Sequence, residues 1–186
     1  DVDLRTGNGN DYAEVSSNGN LTADLGAGAD YLSMQVSENA TVTGAGGGDQ
    51  VYATVGGNLT ANLGGGANFA SLSVGAGLIA TAGAGNDTVL ATVGLGIDAN
   101  LGDGDNYISI GFGGNNIFQD VANITTGSGS DILYASSAAG DELIANLGEG
   151  SDYADITGVS TTSANITFAG GDDTLETNGR GVVSSD

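Results

Sequence analysis

Apolar residues recur at every second position in short bursts along the chain, and each burst closes in glycine or asparagine. One set begins two residues after a turn Asp or Asn: Ala13 and Val15, Leu32 and Met34, Val51 and Ala53, Ala70 and Leu72. It continues with Val89 and Ala91, Ile108 and Ile110, Leu133 and Ala135, Ala154 and Ile156. A second set follows a Gly- or Asn-rich half-turn such as 18–20 or 56–58. It reads Leu21, Ala23, Leu25; Leu59, Ala61, Leu63; Ile97, Ala99, Leu101; Leu143, Ala145, Leu147. A period of two predicts strands with one buried face. Glycine recurs too often for a long helical stripe.

The turns between these strands repeat. Gly7-Asn8-Gly9-Asn10-Asp11 returns as Gly26-Ala27-Gly28-Ala29-Asp30, Gly64-Gly65-Gly66-Ala67-Asn68 and Gly83-Ala84-Gly85-Asn86-Asp87. Further copies are Gly102-Asp103-Gly104-Asp105-Asn106, Gly127-Ser128-Gly129-Ser130-Asp131 and Gly148-Glu149-Gly150-Ser151-Asp152. Two looser copies end at Asp49 and Asp173, with Ala45 and Ala169 in the first glycine position. The closing residues are separated by 19 residues five times, then by 25, 21 and 21.

Equal steps of two strands and two turns predict an all-β fold: a parallel β-solenoid, or β-roll, of about nine rungs with 19–25 residues and two short strands each. One rung cannot bury its own apolar side, but a stack shares one narrow core, so residues 1–186 form a single domain. At about 4.8 Å per rung the stack runs roughly 40 Å. The 25-residue step adds six residues near 111–122, at the second half-turn, and predicts a loop there.

Charge changes the picture next. Arg5 and Arg180 stand against 23 Asp plus Glu, for a net charge of −21. Nucleic acid is excluded as a partner because phosphate binding needs clustered Lys or Arg, and anionic lipid is disfavoured on the same ground. No apolar run reaches the roughly 20 residues of a bilayer span. The absence of cysteine removes disulfides and thiol chemistry. Acid-rich disordered chains lack apolar residues, whereas 39% of this chain is hydrophobic.

Stacking places Asp11, Asp30, Asp49, Asn68, Asp87, Asn106, Asp131, Asp152 and Asp173 in one column. Ionised carboxylates one strand spacing apart repel by roughly 3–4 kcal/mol at an effective dielectric near 20. A cation between rungs offsets this. Calcium suits the column because it takes six to eight hard oxygens at flexible geometry. The turn glycines permit backbone angles that aim carbonyl oxygens at an ion. Asn68 and Asn106 still offer a neutral oxygen, with weaker or absent ions expected there. Magnesium demands stricter geometry, and transition metals favour the His or Cys this chain lacks. The same residues also serve as Asx caps of tight turns, an account that leaves the stacked charge without an offset.

These turns resemble the G-G-x-G-x-D-x-U-x repeat of RTX proteins, secreted bacterial proteins that form calcium-filled β-rolls. Gly83-Ala84-Gly85-Asn86-Asp87-Thr88-Val89 fits well, and the likeness covers essentially the whole chain. The resemblance implies several bound calcium ions held by the seven turn aspartates and the turn carbonyls. It also implies secretion and a place at the bacterial surface. It departs at the opposite turn, which reads Asn18-Gly19-Asn20, Gly57-Asn58 or Gly94-Leu95-Gly96. That is closer to the one-sided, 19-residue calcium solenoids within very large bacterial adhesins.

The residue after each turn Asp or Asn points outward, at Tyr12, Tyr31, Phe69, Tyr107, Ile132 and Tyr153. Such a stripe is either a contact surface or the ordinary packing of aromatics along strands. Asn20, Asn39, Asn58, Asn123 and Asn165 open N-glycosylation patterns, and are also read as half-turn asparagines followed by outward threonines. The acid pairs Asp172-Asp173 and Asp141-Glu142 lack any sign of a cleft that would tune them for proton transfer.

The expected function is therefore non-catalytic: an extracellular, calcium-stabilised structural repeat, as in a surface layer, adhesin stalk or filament, that self-associates or continues into more repeats. Two alternatives remain at this stage. One is an ice-binding calcium solenoid, whose flat face would need regular side chains where this chain has Asn8/Asn10, Ala27/Ala29 and Asp103/Asp105. The other is the C-terminal repeat region of a secreted RTX hydrolase or toxin.

Overall fold

A computed structural model describes residues 1–113, 121–137, 142–159 and 163–178. Most of the predicted 111–122 insertion, and Asp141 of one acid pair, lie outside the described residues. Strands alternate between two sheets. The first contains β1 (Val2–Arg5), β3 (Leu21–Ala27), β5 (Ala40–Gly46), β7 (Leu59–Asn62), β9 (Leu78–Thr81), β11 (Ile97–Asn100), β13 (Val121–Thr125), β15 (Glu142–Glu149) and β17 (Ser163–Ala169). The second contains β2 (Tyr12–Ser17), β4 (Tyr31–Val36), β6 (Gln50–Val55), β8 (Phe69–Val74), β10 (Thr88–Val93), β12 (Tyr107–Phe112), β14 (Ile132–Ser137), β16 (Tyr153–Val159) and β18 (Thr174–Glu176).

Each strand pairs in parallel with the strand two further along the chain, and equivalent residues stand in register. The result is the expected all-β parallel solenoid, with about eight turns built from two nine-stranded sheets. The inward sets read from the sequence are the core: Leu32, Val51, Ala70, Val89, Ile108, Leu133 and Ala154 face Leu21, Leu59, Leu78, Ile97 and Leu143 across a single layer. The second sheet adds a third inward column that the two-position reading omits, at Val36, Val55, Val74 and Val93.

From Thr6 to Leu147 the rungs are of two alternating kinds, which the 19-residue step conceals. At the last inward position of the first sheet the stacked residues are Thr6, Leu25, Gly44, Leu63, Ala82, Leu101, Thr126, Leu147 and Phe168. From Thr6 to Leu147 large and small residues therefore interdigitate along the axis, which fills the space without overpacking; Phe168 follows Leu147 directly and ends the alternation. At Gly44 an added Cβ would lie 2.3 Å from Asp49 Oδ2 and 2.7 Å from the Leu63 carbonyl oxygen. The leucine rungs enter their turn through glycines with φ near +70°: Gly26 +74°, Gly64 +74°, Gly102 +70° and Gly148 +77°. In the turns ending at Asp49, Asp87 and Asp131, only the second glycine (Gly47, Gly85 or Gly129) is left-handed.

Candidate metal centre: the buried aspartate ladder

The turn residues line up as the repeat requires and are joined by hydrogen bonds. The backbone N–H of Asp11 donates to Asp30 Oδ1 at 2.7 Å, Asp30 to Asp49 at 3.0 Å, and Asp49 to Asn68 at 3.0 Å. Asn68 then donates to Asp87 at 2.8 Å, and Asp87 to Asn106 at 3.0 Å. The run finishes from Asn106 to Asp131 at 2.8 Å, Asp131 to Asp152 at 2.9 Å and Asp152 to Asp173 at 2.9 Å. One oxygen of each residue from Asp30 onward thus closes the turn of the preceding rung, as an Asx cap does. Asp30, Asp49, Asp87, Asp131 and Asp152 are at most 2% exposed, as are Asn68 and Asn106. Asp11 and Asp173, at the two ends, are half-buried.

Capping accounts for only one oxygen. Oδ2 of Asp11, Asp30, Asp49, Asp87, Asp131 and Asp152 is buried and has no hydrogen-bond partner. A buried carboxylate oxygen left in this condition costs several kcal/mol, in order of magnitude, unless a proton or a cation meets it. Arg5, the one basic side chain among the described residues, is exposed and 3.4 Å from Asp3, so the ladder has no counter-charge from the protein.

Burial pushes four of these carboxyls above their ordinary range. For Asp49 the desolvation is opposed by the Asp30 N–H and reinforced by the Asp30 charge. For Asp87 it is opposed by the N–H and side-chain amide of Asn68, and for Asp131 by hydrogen bonds from Thr126 and Asn106. Asp152 is pushed up to about 6, by burial first and then by the Asp131 and Asp173 charges, against the Asp131 N–H.

The two asparagines reveal what surrounds that second side-chain atom. Asn68 Nδ2 donates to the carbonyls of Gly64 (3.3 Å) and Gly66 (3.0 Å) and to Asp87 Oδ1 (2.8 Å). Asn106 Nδ2 donates to the carbonyls of Gly102 (3.1 Å) and Gly104 (2.9 Å), and its side chain also bonds Asp131. An oxygen-lined recess therefore lies in the turn, formed by two glycine carbonyls and the next rung's carboxylate. In the Asp30 and Asp152 turns, Gly26, Gly28, Gly148 and Gly150 are left-handed like their Asn-turn counterparts. Asp30 and Asp152 stand in these turns with Oδ2 buried and unpartnered, which a cation or a proton would satisfy.

This donor set fits a hard cation. Among the described residues no three acidic side chains converge. An ion would take one or two carboxylates, turn carbonyls and water to reach six to eight oxygens. Gly7, Gly9, Gly28, Gly66, Gly85, Gly104, Gly129 and Gly150 are left-handed, as are the first glycines of the leucine rungs. Gly83 and Gly127 are not. Gly127 is crowded instead, since a Cβ there would sit 2.9 Å from the Gly102 carbonyl carbon.

Outside the ladder, the variable turn positions are exposed and make further rung-to-rung links. Asp103 accepts from the N–H and hydroxyl of Ser128, which hold its carboxyl below the usual range, and Asp105 accepts from the Ser130 N–H. The outward aromatics form two rows: Tyr12 stacks on Tyr31 at 4.8 Å, with tilted contacts on to Tyr52 and Phe69, and separately Tyr107, Tyr134 and Tyr153 meet in tilted pairs. Tyr52 and Tyr134, two residues further along their strands, bridge rungs that carry Gln50 and Ile132. Asn20, Asn39 and Asn58 occupy the half-turn as expected. Asn123 and Asn165 do not: they lie on β13 and β17, facing outward in register with Asp98 and Ile144.

The molecule defined by this geometry is a parallel β-solenoid with one buried, partly unsatisfied aspartate ladder along an edge. Comparison of the chain with known families, with curated proteins and with solved structures returns no match.

Proposed function

We propose that the protein is a calcium-stabilised structural repeat of the extracellular, RTX-like kind, without catalytic activity. The observation that carries this reading is the row of buried, unpartnered Oδ2 atoms on Asp11, Asp30, Asp49, Asp87, Asp131 and Asp152. A proton can serve the same oxygen, but at neutral pH only where the pKa lies near or above 7; Asp152 stands at about 6. A divalent ion serves all of them at once. Secretion follows from the same requirement, since calcium is plentiful outside cells and scarce within, and the acid excess keeps the ion-free chain extended and soluble.

A structural role accords with the surface. One depression of about 590 Å³ is a shallow trough on the outer face of the second sheet lined by hydroxyls such as Ser33, Ser71, Ser73 and Ser109. It contains no acid, base or nucleophile pair.

Calcium titration of metal-free protein at pH 7, followed by circular dichroism with a chelator control, tests the reading. Cooperative gain of β-structure with calcium is expected. Full folding in excess EDTA at pH 7 would refute it.

A further inference from the structure

The aspartate column contains two residues that are not aspartate, Asn68 and Asn106, and both fall in leucine rungs. Their amide nitrogens sit among oxygens in a three-fold arrangement: two glycine carbonyls of their own turn and the carboxylate of the next rung. That is the environment a cation occupies, filled by a neutral donor. An ammonium-like NH₂ edge offers two hydrogens to three acceptors, so both donors are used. Unlike the six orphaned carboxylate oxygens, neither asparagine has a buried polar atom without a partner.

We propose that Asn68 and Asn106 replace the cation with their own amides, so that these two turns are closed without metal and the ion row is divided into three parts. The idea rests on the calcium reading of the aspartate turns and adds which turns are exempt. Asp87 is left between two amide-closed turns: its Oδ1 takes both the N–H and the Nδ2 of Asn68, and its own N–H donates to Asn106 Oδ1. It has no carboxylate neighbour in the ladder on either side, so the middle of the column carries the least repulsion when ions are absent.

Both substitutions fall in leucine rungs. There the first glycine is left-handed, at Gly64 and Gly102 as at Gly26 and Gly148, and its carbonyl and that of the second glycine converge on the side chain. In the other kind of turn, at Asp49, Asp87 and Asp131, the first position is Ala45, Gly83 or Gly127, and none is left-handed. At Asp49 the neighbouring Oδ2 space is bounded instead by Gly44 and the Leu63 carbonyl. An amide placed there has a different set of acceptors.

The test counts bound calcium on the full chain by elemental analysis and calorimetry, and measures melting of metal-free protein. Asn68→Asp is expected to bind one ion more than the parent and to melt at a lower temperature without metal. Asn106→Asp is the second variant should the first fail to fold. Asp30→Asn is expected to bind one ion fewer and to melt higher without metal. Asp49→Asn removes the same charge from the other kind of turn, and should lose an ion without that gain. If the parent binds no calcium, the underlying reading fails. If the parent binds calcium but the Asn→Asp variants gain no ion, the amide proposal is overturned. Equal stabilisation by Asp30→Asn and Asp49→Asn overturns it too, since charge removal alone would then explain both.

Discussion

At both edges of the coil a side-chain oxygen of one rung accepts a backbone N–H from its neighbour, yet the two ladders run in opposite directions and use different chemistry. On the aspartate edge the N–H of each buried ladder residue donates forward, as from Asp30 to Asp49, while the exposed positions beside it donate backward, as from Ser128 to Asp103. On the other edge the ladder N–H donates backward: Asn39 to Asn20 Oδ1 at 3.1 Å, Asn58 to Asn39 at 2.9 Å and Gly77 to Asn58 at 3.0 Å. The backward ladder is exposed and neutral, and its amides also bond each other, Asn39 Nδ2 reaching Asn20 Oδ1 at 3.1 Å. Its remaining polar atoms can turn to water. The forward ladder is buried and charged, so the oxygen left over after capping has nowhere to turn. The lesson is that one capping device becomes an ion requirement only when acid and burial coincide.

The comparison can be broken most forcefully by removing calcium. At pH 7 the metal-free chain is expected to lose most of its β-structure, seen by circular dichroism, and to recover it on calcium addition; an unchanged spectrum would leave the two edges equivalent. Next in size is Asp49→Ala, measured in calcium. It deprives the buried Asp30 N–H of its acceptor as well as removing a ligand, and the hydrogen bond alone is worth about 1–3 kcal/mol in a buried setting. Chemical denaturation would register this as a lowered midpoint. Asn39→Ala, on the exposed edge, should cost only about 0.5–1 kcal/mol, because the Asn58 N–H it abandons can reach water. Comparable losses at the two sites would contradict the contrast.

Acidity sharpens the comparison through its sign. Asp152 has a folded-state pKa raised from 3.8 to about 6, and Asp49, Asp87 and Asp131 move in the same direction. A raised pKa contributes stability that is complete below the unfolded value and lost as pH climbs through the folded one. Metal-free protein prepared by dialysis should therefore melt at a higher temperature near pH 4–5 than at pH 7. With calcium bound the order reverses, because the ion needs the ionised form. Melting curves with the same pH trend in both conditions would contradict ion binding at these carboxyls. The smallest effect is reserved for the outer face: Tyr31→Ala, which removes the stack on Tyr12 at 4.8 Å, should cost about 0.5–1.5 kcal/mol.

Much of this was open to reading in the chain itself. Strand alternation at residues such as Leu32 and Met34, and the equal steps from Asp11 to Asn106, define the coil because parallel in-register stacking is the arrangement that lets every rung repeat. The ladder membership of all nine turn residues follows from the same spacing. In the sequence Asx capping and ion binding read as rivals, whereas the two oxygens of each carboxylate divide the roles. The alternation of rungs was present as Leu25-Gly26, Leu63-Gly64 and Leu101-Gly102 on every second turn. It was masked because the stronger turn pattern recurs on every turn. That Asn68 and Asn106 donate to their own glycine carbonyls depends on backbone angles, which no residue spacing conveys.

The large-and-small alternation at the last inward position sets the unit in which such a molecule can lengthen or shorten. Deleting a single rung between Leu25 and Leu63 would bring two leucines onto adjacent levels of one column, whereas deleting two would restore a leucine beside a small neighbour. Between Thr6 and Leu147 growth by duplication therefore preserves the packing only in even numbers of coils, and a splice designed in pairs should cost less there than an odd one; at the far end, where Phe168 already follows Leu147, that preference lapses.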